Sequence, residues 1–247
     1  MDRLIYTAMT GASHTLSQQA AVSQNLANTN TPGFRAAINT FRAVPLVGEG
    51  LATRTFVVDS TAGADFSQGV MQPTGRALDV AVNGPGWIAV QNAEGAEAYT
   101  RNGSFQLTPN GVLQTRSGLN VVGDTGPITI PPDTQVTIAK DGTISTVPTT
   151  NQVNSVIVIG RIKLVNPAQE QLVRGDDALF RSVDGKVADA EANVTVSSGH
   201  LESSNVNAVE AMVSMITLAR QFDLQMKVLT TADNNARQAS QILSVTG

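Results

Sequence analysis

The chain has 247 residues, 41% hydrophobic but only 4% aromatic, enough apolar mass for one or two folded domains with few large core anchors. With 16 basic and 20 acidic residues, a net charge of −4 and no run of Lys or Arg, it lacks the electrostatic footprint of a nucleic-acid binder. Having no cysteine, it can form no disulfide and perform no thiolate chemistry, and no apolar window is long enough to insert directly into a membrane.

Residues 2–28 are predicted to be a helix, because Ile5, Met9, Ala12, Leu16 and Ala20 recur at steps of three and four, flanked by Ala8, Gly11, Val22 and Leu26. This stripe of small residues lets another helix approach closely, while Gly11 and several Ser and Thr weaken the helix in isolation. Asn28-Thr29-Asn30-Thr31-Pro32-Gly33 stops it, since Asn and Thr compete for backbone hydrogen bonds and Pro32 biases Thr31 away from helical dihedrals. The polar stretch after Tyr6 holds no apolar core of signal-peptide length. The expectation is a protein that stays in the cytoplasm or leaves by a route that reads no cleaved signal.

From Phe34 to about Gly75 the pattern is irregular, with a strand-like piece over 53–58 and turn residues at Gly48, Gly50, Gly63 and Gly69. This reads as an extended connector arm over 34–75. From Leu78 short β-branched runs alternate with turn signals such as Asn83-Gly84-Pro85-Gly86, Pro109-Asn110-Gly111 and Asp141-Gly142. Such dense spacing predicts an all-β domain over 76–190, followed by a return connector over 191–204.

Residues 205–247 open with Asn207 and, three residues on, Glu210, the spacing of a capping box. Ala211, Met215, Leu218, Phe222, Met226 and Leu229 then form a stripe that Met212, Ile216 and Ala219 widen past half the circumference. A seam for one partner helix would be narrower, so this helix is expected to touch several neighbours. The fold class is therefore α+β: long N- and C-terminal helices packing together, residues 1–33 and 205–247, with an inserted all-β central domain. Apolar stripes at both termini point to a polymer subunit. The expected assembly interface comprises Ile5, Met9, Leu16 and Leu26 with Val209, Met212, Met215, Ile216, Leu218, Ala219, Phe222, Met226 and Leu229.

No catalytic or cofactor site emerges. His14 and His200 form no pair at metal-ligand spacing, and Asp176-Asp177 and Glu94/Glu97 read as turn residues rather than an acid/base pair. Gly103-Ser104 lacks the second glycine of a nucleophile elbow, and no phosphate loop occurs. Trp87, beside Gly84 and Gly86, could stack on a sugar but reads better as a core anchor. The enzyme alternative reduces to a wall-binding or wall-cleaving protein.

Several motifs in order resemble the axial proteins of the bacterial flagellum, the family of rod, hook and hook-associated subunits. Asn25-Leu26-Ala27-Asn28 and Thr31-Pro32-Gly33-Phe34 are similar to that family's N-terminal motif. Leu201-Glu202-Ser203-Ser204-Asn205-Val206, with Arg220-Gln221-Phe222, is similar to its C-terminal one. The stretches 78–87 and Tyr99-Thr100-Arg101-Asn102-Gly103-Ser104-Phe105 resemble its central domain, with Trp87 where Phe is more usual. Within the family the opening 1–9, the runs 160–165 and 175–180 and the length look most like proximal rod members, with distal rod or hook-type members as runner-up. The resemblance implies a structural subunit, exported unfolded by the flagellar type III apparatus, that polymerises in the periplasm with itself and with proximal and distal rod subunits. Phe34 and Ile38 fit a loose export-gate pattern, Phe followed four residues later by an aliphatic residue. Phe34 as a packing residue is the plainer reading.

Overall fold

The computed structural model describes residues 2–45, 55–92, 94–149 and 155–245, and the α+β class is as the sequence predicts: a helix at each end and a β-rich region between them. The chain divides into two compact units, one of Met1–Ala27, Ala37–Ala64 and Val206–Gly247, the other of Asn28–Ala36 and Asp65–Asn205.

The first unit holds two helices, α1 (Asp2–Ala27) and α2 (Ala208–Val245), and two strands, β1 (Ala37–Pro45) and β2 (Thr55–Ala64). The Asn207 side chain caps α2, its Oδ1 accepting from the Val209 N–H at 3.1 Å and the Glu210 N–H at 3.4 Å, so two otherwise orphaned donors are satisfied. The stretch expected as an irregular arm contains an antiparallel hairpin, β1 against β2, with a bulge between Thr40 and Phe41. Of the turn residues foreseen there, Gly48 and Gly50 lie outside the described residues, as does the start of the 53–58 piece. Side chains of α1 seat this hairpin. Asn25 pairs with Ala37 as a neighbouring strand would: its Nδ2 donates to the Ala37 carbonyl at 2.9 Å and its Oδ1 accepts from the Ala37 N–H at 2.7 Å. His14 Nε2 lies 2.7 Å from the Val57 carbonyl, and the ring stands edge-on to Phe41 at 5.4 Å between centroids.

In the second unit the largest sheet runs in the order Leu172–Arg174, Phe180–Ser182, Glu97–Thr100, Trp87–Gln91, Asn120–Gly123, Leu113–Thr115 and Phe105–Leu107. A three-stranded sheet joins Thr134–Ile138, Thr143–Pro148 and Ile157–Arg161. Val80, Ile88, Val90, Phe105, Leu113, Ile144 and Val196 lie in one closed apolar cluster. Aliphatic β-branched residues supply most of this core, and three aromatic rings pack together in the same unit, the Trp87 ring standing 6.0 Å from Phe66 and 4.5 Å from Phe180. Trp87 is thus buried, not presented as a sugar platform. The return segment 191–204 carries strands too: Thr195–Ser198 pairs with Val80–Asn83, and His200–Glu202 with Met71–Pro73. Strands of three or four residues paired far along the chain leave too short an alternation to be read locally.

The three motifs that carried the family resemblance converge on one buried ion cluster. Glu202 Oε1 lies 2.7 Å from Arg35 Nη1, and Glu202 Oε2 lies 3.2 Å from Arg101 Nη1. The Gly69 N–H also donates to Glu202 Oε1 at 2.9 Å, while Arg101 Nη2 donates to the Gly84 carbonyl at 2.6 Å and Arg35 Nη1 to the Ser67 carbonyl at 2.7 Å. Burial pushes the Arg101 pKa down to about 10, with Glu202 opposing the shift and Arg35 adding to it, so the group stays charged at neutral pH. The Arg101 guanidinium also sits 5.5 Å from the Trp87 ring centroid. Gly33, at φ 67°, belongs to the same junction: a Cβ there would come within 2.3 Å of the Arg101 backbone.

Candidate assembly interface

The terminal helices run antiparallel. One open groove sets Thr7, Ala8 and Gly11 against Gln221, Leu224, Gln225 and Val228, and a second sets Gln18, Ala21 and Val22 against Val213, Ser214, Thr217 and Leu218. Among the buried and half-buried positions, one series on α2 runs Ala211, Met215, Leu218, Phe222, Gln225, Leu229 and Ala232, and one on α1 runs Ile5, Ala8, Ala12, Thr15, Gln19, Val22 and Leu26. Both series alternate steps of three and four, the spacing of a coiled-coil seam.

The wide apolar arc of α2 therefore separates into two faces. Met215, Phe222 and Leu229 are half-buried and Leu218 is buried along the seam, with Ala219 half-buried beside it. Val209, Met212, Ile216 and Met226 are exposed, Val209 at 69% and Ile216 at 56%. On α1, Ile5 and Leu26 are half-buried in the seam, whereas Met9 and Leu16 are exposed, Met9 at 55%. Val213, Leu224 and Val228 on α2 and Tyr6 on α1, absent from the sequence-based set, are exposed as well. The signal for Val213 was in the sequence: Val209, Met212, Val213 and Ile216 follow the i, i+3, i+4, i+7 pattern of a separate helix face. Of the export-pattern pair, Phe34 is buried with the Arg174 guanidinium 4.6 Å from its ring centroid, and Ile38 is exposed on β1.

The groups weighed for catalysis take structural partners instead. His200 Nδ1 lies 3.0 Å from the Ser198 carbonyl, Glu97 accepts two bonds from Lys163 at 2.9 and 3.0 Å, and Asp177 pairs with Arg181. The Arg181 hydrogen bond is the main cause that holds the Asp177 pKa below the usual carboxylate value. Among the described residues no group of three or more His, Asp or Glu side chains could hold a metal ion, and no helix is long and apolar enough to cross a membrane.

Paired terminal helices with an apolar outer face and a β unit threaded between them in sequence are the architecture of a subunit built to pack against others. Three family models match in the same order: "Flagella basal body rod protein" over 5–35, "Flagellar hook protein FlgE/F/G D1 domain" over 81–146 and "Flagellar basal body rod FlgEFG protein C-terminal" over 197–242. The chain is 51% identical over 251 positions to the flagellar basal-body rod protein FlgF of Escherichia coli K12, covering 99% of this chain and 100% of that protein. It is 50% identical, with the same coverage, to FlgF of Salmonella typhimurium LT2. To the rod protein FlgG of Buchnera aphidicola from Schizaphis graminum it is 31% identical, over 90% of this chain and 92% of the relative. The chain belongs to the flagellar basal-body rod protein family, and its role is structural, not enzymatic.

Proposed function

We propose that this chain is a subunit of the proximal rod of the flagellar basal body, part of the drive shaft for motility. On this reading it is exported unfolded by the flagellar type III apparatus and polymerises in the periplasmic space, next to itself and to other proximal and distal rod subunits. Full-length likeness to FlgF proteins, well above that to the FlgG relative, supports the proximal over the distal position. The observation that carries the polymer contact is the exposed apolar face of Val209, Met212 and Ile216, turned away from the seam that holds α2 to α1, with Val213 exposed at its edge. Burying such a side chain fully against a neighbour contributes about 1.5–3 kcal/mol, so a few of them suffice for a stable contact. Met9 and Leu16 extend the interface on α1.

The test is to insert an epitope at the exposed Asp184-Gly185 turn, purify basal bodies and image the label. Label on the proximal rod is the expected result; label on the distal rod or hook, or recovery only in the cytoplasm, overturns the assignment.

A further inference from the structure

We propose that Gly11, Thr15 and Gln225 lock the register of the antiparallel α1–α2 pair. Gln225 is the one polar residue among the seven protected seam positions of α2 named above. Its Nε2 donates to Thr15 Oγ1 at 3.3 Å, and its Oε1 is buried with no hydrogen-bond partner among the described residues. Gly11 makes room for this amide, since a Cβ there would stand 3.0 Å from Oε1 and 3.1 Å from Nε2 of Gln225. A glycine in mid-helix, costly for the helix itself, thus has a packing reason.

Apolar seam residues alone do not fix the pairing, because both seams repeat every seven residues and a slip of one heptad again sets apolar positions against one another. The Thr15–Gln225 bond breaks that degeneracy. With Thr15 opposite Gln225, the seam spacing places Ala8 opposite Ala232 and Val22 opposite Leu218. After a slip of seven residues Gln225 would face Ala8 or Val22, neither of which can accept or donate a side-chain hydrogen bond, and the bond to Thr15 would be lost. Such a slip would move the exposed faces of α1 and α2 past each other by about 10 Å while leaving helix content unchanged. The consequence for assembly rests on the proposed rod function, but the register itself does not.

The chain has no cysteine, so engineered pairs report register directly. Ala8→Cys with Ala232→Cys reads the observed register; Val22→Cys with Ala211→Cys and Ala8→Cys with Ala239→Cys read the two slips. In dilute monomer the observed pair should cross-link and the slipped pairs should do so about tenfold less. Adding Thr15→Val and Gln225→Leu should raise the slipped products about tenfold at unchanged helicity. Gly11→Ala provides a second arm that does not depend on those variants folding: it improves helix propensity yet should also raise the slipped products, because it displaces the amide. Slipped products that form readily in the parent chain, or that fail to rise in both arms, overturn the proposal. Since the measurement uses monomer, failure of the rod assignment would leave it intact, and failure of the register lock would leave the rod assignment intact.

Discussion

Arg35 and Glu202 meet at 2.7 Å with side chains 1% and 0% exposed, joining the residue that follows the N-terminal Thr-Pro-Gly-Phe motif to the acidic residue of the C-terminal motif. Arg101 binds the other carboxylate oxygen. Taking the carboxylate away leaves two guanidinium groups buried with no counter-charge. Glu202→Gln is therefore expected to destabilise the β-rich unit by about 3–5 kcal/mol, whereas replacing all three charges with apolar side chains of similar volume should be far less damaging. Thermal melting of the full chain and hydrogen exchange over 28–36 check this; a Glu202→Gln melt matching the parent would deny the cluster its role.

Trp87 gains a specific reason from the same cluster. Its indole packs on Phe66 and Phe180 and faces the Arg101 guanidinium at 5.5 Å. Trp87→Ala should cost about 3–5 kcal/mol through lost aromatic packing. Trp87→Phe keeps most of the ring contact but weakens the attraction to a desolvated Arg, so a loss of about 1–2 kcal/mol is expected. Equal melting curves for the parent and the Phe variant would show that the cation contributes nothing.

What the sequence made legible followed from periodicity and capping. The helix ends near 28 and 207 and the dense strand-and-turn region were readable because Asn28-Thr29-Asn30-Thr31-Pro32-Gly33, Asn207 and the Asn-Gly and Asp-Gly turns act locally. Strands such as His200–Glu202 were not, since their partners lie more than a hundred residues away and three residues show no alternation. Which arc of α2 turns toward α1 was equally hidden. A helix apolar over more than half its circumference does not say which arc its own partner helix takes. The ion cluster was present as family motifs, yet charged residues in separate motifs carry no local sign that they meet.

The strand Thr195–Ser198 makes a prediction about the smallest folded piece. It pairs along Val80–Asn83, and Val196 is wholly enclosed by the core. A fragment of residues 76–190 lacks that strand and should be largely unfolded or melt well below a fragment of 65–205. Circular dichroism on the two fragments decides it, and equal melting temperatures would mean that the strand is dispensable.

Acid should act on the turn at Asp177. Arg181 holds the Asp177 pKa below its ordinary value, so the pair contributes stability above the unfolded carboxylate range and loses it as pH falls through the depressed value. Both side chains are more than a third exposed, so the contribution at pH 7 is held to less than about 1 kcal/mol. Asp177→Asn should accordingly lower stability slightly at pH 7, and the difference from the parent should close at acidic pH. A difference that stays constant across that range would assign the effect to the turn's backbone geometry instead.

Two neighbouring positions on α2 separate pairing within the subunit from contact between subunits. Met215 is half-buried in the seam toward α1, so Met215→Asp places a carboxylate among the residues that hold the helices together. It should lower helix protection in the monomer as well as abolish motility. Ile216, one residue on, is 56% exposed on the outer face, and Ile216→Asp should change monomer stability by no more than about 0.5 kcal/mol. In a packed polymer the same carboxylate would be desolvated without a partner, at a cost of several kcal/mol, roughly 2–7 on the scale for unpaired polar groups and more for an ion. Cells carrying Ile216→Asp should therefore make and export the subunit yet fail to swim. Normal swimming would remove this face from the polymer contact, and a destabilised monomer would show that Ile216 serves the subunit's own fold.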